Sequence, residues 1–178
     1  MQKARVSMEK ENITRVQLTV AQWMQMRKDA PELVRDVPAW LTVTGCSMLP
    51  FVRPYRDRVM IRAVEPHELR EGDIVLFPGH YLGGDYCLHR LYKIDNQRVQ
   101  TFGDGNLRPD HWQPIENILG KAELIERGPL TIRCHSPRWQ RLFRLWDRLR
   151  VLRPLLLLPF RVENKIRRMI HPGSSDNH

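Results

Sequence analysis

Short apolar runs recur through the middle of the chain and predict β-strands. They are rich in β-branched and aromatic residues, and Pro, Gly, Asp and Asn separate them, as is typical of strands joined by turns. The runs cover residues 40–44, 58–64, 73–77, 86–94, 98–102, 118–125 and 130–133. Gly83 and Gly84 are placed to form the bend of a hairpin loop over residues 79–85. Evenly spaced short strands of this kind predict a small, mainly antiparallel β-fold.

Helical spacing replaces the strand pattern near both ends of the chain. Thr19 is a candidate cap for a short helix over residues 20–29, whose apolar side carries Trp23, Met24 and Met26. Beyond Pro137, apolar residues fall on one side of a predicted helix and arginines on the other; these are Trp139, Leu142, Phe143, Trp146 and Leu149, against Arg138, Arg141, Arg144 and Arg148.

A second basic helix is predicted over residues 161–170, followed by a frayed end at 172–178. The pattern therefore divides the chain into an N-terminal lead-in over 1–39, a β-domain over 40–134 and a basic amphipathic helical tail over 135–178. One domain with such appendages suits a chain of 178 residues.

The net positive charge of the chain comes from the tail. Residues 131–170 hold eleven Arg and Lys against two acids, a net charge of +9, and the whole chain also carries +9. Any electrostatic partner therefore meets the tail. The apolar run 151–160 is broken by Arg153, Pro154 and Pro159 and is shorter than the roughly 20 residues that span a bilayer. Because such a run has no use in nucleic-acid binding, the pattern favours packing on the core combined with association at an anionic membrane surface.

Cysteine content and the N-terminus limit the class of protein. The chain has three cysteines, Cys46, Cys87 and Cys134. An odd number without metal-ligand spacing argues against a disulfide framework and against a zinc site. No cofactor is expected. Residues 1–12 carry charges and no apolar run, so they predict neither a signal peptide nor a membrane anchor. The expected location is the cytoplasm, with the tail able to lie on the inner face of the membrane.

Ser47 is the candidate nucleophile, in the stretch Thr-Gly-Cys-Ser-Met-Leu-Pro-Phe over residues 44–51. Gly45 permits a sharp turn and Pro50 ends any regular element, so the serine is expected on a constrained bend. A serine hydroxyl needs a base, and a neutral imidazole with a pKa of about 6.5 suits the task near neutral pH. His89 is the candidate base. Lys93 lies roughly 13 Å farther along the same strand face, and His80 and His111 fall in loops.

Four blocks of the chain, in order, resemble the type I signal peptidases, and in particular their endoplasmic-reticulum-like branch. They read Gly-Cys-Ser-Met-Leu-Pro, Gly-Asp-Ile-Val-Leu-Phe, Leu-His-Arg and Gly-Asp-Gly-Asn, and the likeness covers residues 42–125. The resemblance extends to soluble bacterial relatives found near peptide-modification genes, and it implies a signal-peptidase- or LexA-like β-fold. The sequence differs from the family at Gly105, where relatives often carry Asn, and at Pro109, where they often carry an acid. It also lacks the expected signal of the family's N-terminal transmembrane anchor.

The resemblance also implies roles for individual residues. Ser47 would attack the peptide carbonyl, His89 would take its proton, and Asp110 or Asp104 would orient the imidazole, with Asp110 the stronger candidate. The backbone N–H of Ser47 is the natural first donor to the oxyanion. The expected activity is that of a serine endopeptidase that cleaves an extended peptide or protein precursor through an acyl-enzyme. This activity is expected to fall below about pH 6.5, where the imidazole becomes protonated.

Two other readings stay open at this point. A LexA-type self-cleaving regulator shares the serine fold, but it uses a lysine base and carries a DNA-binding helix pair, for which the forty or so residues before the core are few. A non-catalytic module of the same shape could instead hold a leader peptide for a modifying partner.

Overall fold

The computed structural model describes residues 20–29, 37–79 and 86–170. Several predictions lie outside these residues: the charged N-terminus, the Thr19 cap, the loop position of His80, the bend at Gly83 and Gly84, and the frayed end over 172–178.

The described chain forms one antiparallel sheet that curls into a half-barrel. Its strands are β1 Ala39–Thr42, β2 Asp57–Ala63, β3 Ile74–Pro78, β4 Tyr86–Asp95, β5 Arg98–Phe102, β6 Trp112–Pro114, β7 Gly120–Arg127 and β8 Leu130–Arg133. They are ordered β1-β2-β7-β3-β4-β5-β6, and β8 pairs with the second half of β7. The prediction of a mainly β, antiparallel fold with a short N-terminal helix and C-terminal helices is confirmed.

The sheet's concave face is filled by the alternate residues of its strands. Val59 and Ile61 of β2 point inward and are fully buried, as the strand period requires, and Ile125 of β7 joins them. Trp23 of the first helix, α1 Val20–Asp29, is also fully buried and donates its indole N–H to the Val37 carbonyl at 3.2 Å. Helix α1 therefore packs on the core through this tryptophan.

Within the described residues, three further helices follow the sheet: α2 Pro137–Arg148, α3 Arg153–Leu156 and α4 Leu158–Ile170. Short 3-10 turns occupy Pro66–Glu68, Ile115–Asn117 and Arg150–Leu152. The basic helix predicted over 161–170 begins earlier, at Leu158, because Pro159 lies in the first turn, where no intrahelical N–H is required. None of the described helices is long and apolar enough to cross a bilayer.

Helix α2 is held against the sheet by aromatic contacts. Phe51, four residues beyond Ser47, lies edge-on to Trp139, Phe143 and Trp146, with ring centroids 6.3, 4.8 and 5.8 Å away. Phe143 is buried as a result. The first helix of the tail thus covers the loop that carries the candidate nucleophile.

Candidate active site

Ser47 lies on a tight turn just after β1. The Leu49 N–H donates to the Cys46 carbonyl at 3.2 Å, and the Val52 N–H donates to the Met48 carbonyl at 2.9 Å. Met48 and Leu49 are buried at 0% and 2% exposure, whereas Ser47 is partly exposed. Two buried neighbours therefore anchor the turn and leave the serine at its surface.

The turn over residues 103–106 packs directly on the Ser47 turn. The Gly105 N–H donates to the Ser47 carbonyl at 2.7 Å. A Cβ on Gly103 would lie 2.7 Å from the Ser47 carbonyl oxygen, and a Cβ on Gly105 would lie 2.9 Å from that of Cys46. Such distances leave no room for a side chain, so both glycines are required by the close approach of the two backbones.

His89 and Asp110 form a buried pair. His89 lies in β4 opposite Val75 of β3, is 2% exposed and meets the edge of the Phe77 ring. Its Nδ1 is 2.6 Å from Asp110 Oδ2. Its other nitrogen, Nε2, is buried and has no hydrogen-bond partner among the described residues. A carboxylate on Nδ1 orients the ring and leaves Nε2 as the atom that can exchange a proton.

Strand β5 fixes the position of Asp110. The Thr101 hydroxyl donates to Asp110 Oδ2 at 2.6 Å, and the Asp110 N–H donates to the Thr101 carbonyl at 2.8 Å. The Gln100 side-chain amide adds a hydrogen bond to the Asp110 carbonyl at 3.0 Å. These hydrogen bonds hold both the backbone and the side chain of Asp110. Its carboxylate is therefore already oriented toward His89.

The environment of His89 raises the pKa of its imidazole. Burial lowers the pKa, but the hydrogen bond with Asp110 and the nearby Cys87 side chain outweigh that effect and raise it from 6.5 to about 9. The ring is therefore mainly protonated at neutral pH, and the pair with Asp110 is an ion pair. This pKa is higher than the ordinary imidazole value expected from the sequence, because that expectation used the reference pKa and did not include the effects of Asp110 and Cys87 on it.

Ser47 and His89 are not hydrogen-bonded to each other, since His89 Nε2 has no partner among the described residues. They are connected indirectly. The Ser47 turn is hydrogen-bonded to the turn over residues 103–106, and the chain continues from that turn to Asp110, the partner of His89. Proton exchange between them requires Ser47 Oγ and His89 Nε2 to come within hydrogen-bond distance, as in sites that tighten only when substrate binds.

Asp104 contacts Arg90 rather than His89. Arg90 Nε and Nη2 donate to the two oxygens of its carboxylate at 2.9 and 2.5 Å, and Arg90 Nη1 donates to the Gly72 carbonyl at 2.8 Å. The guanidinium also lies 3.6 Å from the Phe143 ring centroid. The two candidate acids are thus divided: Asp110 contacts the imidazole, and Asp104 ties its turn to β4.

The tail helices hold the same turn from the other side. Trp146 of α2 donates its indole N–H to the Asp104 carbonyl at 2.8 Å, and Arg153 of α3 donates to the Asn106 carbonyl at 3.0 Å. Sequence reasoning missed both contacts, as well as the Thr101 hydroxyl. A threonine in a strand or a tryptophan on a helix carries no signal of such a partner, because both residue types are common there.

The other candidate bases do not approach this cluster through any hydrogen bond or ion pair among the described residues. Lys93 is exposed on β4 with its ammonium beside the Tyr92 ring, and His111 is exposed. Lys121 is a buried lysine that the sequence reasoning did not consider. It donates to the Glu68 carbonyl at 3.1 Å and lies 3.9 Å from Asp73 Oδ2.

Comparisons with protein-family models, curated proteins and solved structures find no match.

Among the described residues, two clefts near the sheet have linings that include neither Ser47 nor His89. One, of about 360 Å³, is lined by Arg90, Asp104, Phe143 and Arg153 among others. The other, of about 440 Å³, is lined by His67, Asp73, Lys121 and His135 among others. Ser47 instead follows the exposed backbone of Thr44 and Gly45, beside the edge strand β1. An extended chain lying along that edge would reach Ser47 without entering a deep cavity.

Proposed function

We propose that the protein is a serine endopeptidase of the signal-peptidase-like kind, with Ser47 as nucleophile, His89 as general base and Asp110 as the orienting acid. The observations that carry the proposal are the buried His89–Asp110 pair, whose Nε2 has no hydrogen-bond partner among the described residues, and the Gly105–Ser47 bond that ties the Ser47 turn to the turn preceding Asp110. The four sequence blocks that resemble the family support the same assignment. Asp104 is assigned a structural role through its pair with Arg90.

The proposed reaction proceeds through an acyl-enzyme. Ser47 Oγ attacks the scissile carbonyl carbon while its proton passes to His89 Nε2, and the carbonyl oxygen becomes an oxyanion. The Ser47 N–H donates to no backbone carbonyl of the described loops and can stabilise that charge. The tetrahedral intermediate then breaks its C–N bond, and His89 returns the proton to the leaving amine. Water, deprotonated by His89, hydrolyses the ester and regenerates Ser47.

The raised pKa of His89 sets the pH range of this chemistry. A base must be neutral to accept a proton, and only about 1% of an imidazole with a pKa two units above the pH is neutral. With a pKa of about 9, the active fraction of the enzyme grows through the alkaline range.

A peptide-binding module without catalysis is the second candidate. Two observations favour it: Ser47 makes no hydrogen bond with His89, and the imidazole is mainly protonated at neutral pH. In that case the cluster would serve to fix the loops beside the β1 edge, and an extended peptide would bind there without being cut.

Labelling with a fluorophosphonate probe, followed by peptide mapping, separates the two candidates. The peptidase proposal predicts covalent labelling at Ser47 that is lost in Ser47→Ala and kept in Ser136→Ala, a serine that caps no helix through its side chain. Labelling of several serines alike, or of none at any pH up to 9, would leave the binding module as the better account.

A further inference from the structure

Exposed apolar side chains are concentrated in the C-terminal helices. Nine of the thirteen large apolar side chains that are exposed in the described chain fall between residues 142 and 166: Leu142, Leu145, Val151, Leu152, Leu155, Leu156, Leu158, Val162 and Ile166. Val151 is the most exposed of these, at 88%. Soluble proteins scatter such residues singly, and a concentration of them marks a contact surface.

Helix α4 separates its apolar face from the side that contacts the sheet domain. Phe160 lies under the Arg53 guanidinium at 5.0 Å, and Glu163 accepts a hydrogen bond from Arg56 at 2.6 Å. Leu158, Val162 and Ile166 follow one another at four-residue intervals, so they share a face. At about 100° per residue, Val162 in the middle of that face lies about 160° from Phe160 and about 100° from Glu163. The apolar stripe of α4, Leu158, Val162 and Ile166, therefore points away from the rest of the protein.

Exposed cations flank these apolar residues. Arg161 and Lys165 directly precede Val162 and Ile166 on α4, and both are exposed. On α2 the exposed arginines are Arg138, Arg141, Arg144 and Arg148. Long basic side chains can reach from an apolar contact zone to a charged layer above it. This combination of leucines and cations matches the boundary between lipid headgroups and acyl chains.

The acids of the same segment do not offset this charge at the surface. Asp147 forms ion pairs with Arg150 at 3.0 Å and with Arg153 at 3.3 Å, and Arg153 is buried. Glu163 pairs with Arg56. The positive charge of this segment is thus presented at the surface by seven cations that are exposed among the described side chains: Arg133, Arg138, Arg141, Arg144, Arg148, Arg161 and Lys165.

We propose that the C-terminal helices dock the protein on an anionic lipid bilayer, lying in the interface rather than crossing it. The apolar stripe of α4 and the leucines of α2 and α3 would enter the headgroup boundary, and the flanking cations would bind anionic headgroups. A second copy of the chain fits less well, because two surfaces of the same positive charge would meet. Nucleic acid would use the cations but would leave the leucine stripe in water. The proposal does not depend on the role of Ser47.

Vesicle co-sedimentation of the full chain tests this proposal. We expect binding to vesicles of equimolar phosphatidylglycerol and phosphatidylcholine, weakening with added salt, and little binding to phosphatidylcholine alone. Val162→Asp, in the centre of the exposed stripe, should abolish most of the binding. Arg141→Gln with Lys165→Gln should weaken it about 25-fold, at about fivefold for each charge removed.

Matched controls come from exposed residues outside the tail. Leu130→Asp changes a leucine of similar exposure, 51% against 53% for Val162, and Arg70→Gln with Arg98→Gln removes two exposed arginines elsewhere. These controls should keep the binding of the unaltered protein. Equal binding to both vesicle types, equal losses in test and control variants, or an effect of Val162→Asp on self-association alone would overturn the proposal. A competition with duplex DNA of equal total charge is a further test. The proposal would be overturned if the DNA displaced the protein from the vesicles and a higher lipid concentration did not restore vesicle binding.

Discussion

The backbone N–H of Gly105 donates a hydrogen bond to the carbonyl oxygen of Ser47, with the two atoms 2.7 Å apart. This bond joins two turns that are far apart in sequence. One turn carries the candidate nucleophile, and the other leads to the carboxylate that contacts His89. Because the contact is between backbones, it depends on the absence of side chains at Gly103 and Gly105.

Gly105→Ala should displace the Ser47 turn. The new Cβ would lie 2.9 Å from the Cys46 carbonyl oxygen and 3.2 Å from that of Ser47, so one backbone must move. We expect a loss of about 1–3 kcal/mol in the free energy of unfolding, typical of an overpacked contact, together with slower labelling of Ser47. Gly45→Ala is the matched control, since a Cβ there meets nothing within 4 Å. Urea denaturation of both variants compares them, and equal stabilities would show that the two turns do not need this close approach.

Asp110→Asn should impair the base while keeping the fold. Asparagine fills the same space, but it lacks the negative charge that orients the ring and stabilises the imidazolium. We expect a fall in turnover on the order of 10⁴-fold, as when the orienting acid of a serine peptidase is neutralised. Turnover of a cleaved peptide at saturating concentration measures this, with near-UV circular dichroism as the check on folding. Full activity in a folded Asp110→Asn protein would remove Asp110 from the mechanism.

Asp104→Asn should act mainly on stability. The change leaves Arg90 without its carboxylate in a nearly buried position, and breaking a buried pair from one side costs about 3–5 kcal/mol. Asp95→Asn, at the exposed end of β4, should change stability by less than about 0.5 kcal/mol. Denaturation midpoints distinguish the two. A stable Asp104→Asn protein with no activity would instead assign Asp104 to the reaction.

The His89–Asp110 pair should make stability depend on pH. The pKa of His89 is raised in the folded protein, so its contribution is fully present below the unfolded value of 6.5 and is lost as the pH rises through about 9. The shift corresponds to about 3 kcal/mol. Urea denaturation across this range should show the decline in the unaltered protein and a flatter profile in Asp110→Asn. Parallel profiles for the two proteins would contradict the ion pair.

Much of the sheet was predictable because its strands are apolar and separated by turn residues. The strand predicted over 98–102 has the same bounds in the structure, and so does the one over 130–133. Strand β6 was missed, since its three residues include Pro114 and bury only Gln113. A strand so short and polar is recognised by its pairing with β5, which no local pattern reveals.

For the candidate site, the sequence offers a set of residues but not the network of contacts among them. A motif can indicate that Ser47, His89, Asp104 and Asp110 belong together, yet the division of the two acids between His89 and Arg90 depends on strand register. The raised pKa of His89 depends on burial and on partners distant in sequence, for the same reason. The contacts of Trp146 and Arg153 arise from the docking of the tail, which periodicity describes only as an apolar face.

The rate at which a fluorophosphonate phosphonylates Ser47, followed across pH, tests the proton path among Ser47, His89 and Asp110 most directly. We expect the rate to rise with pH through an apparent pKa of about 9 and then level off, as His89 becomes neutral. His89→Ala should lose at least about 10²-fold of this rate, in line with removal of a general base. A rate that is the same in His89→Ala, or flat from pH 6.5 to about 9, would contradict the role of His89 as the base for Ser47.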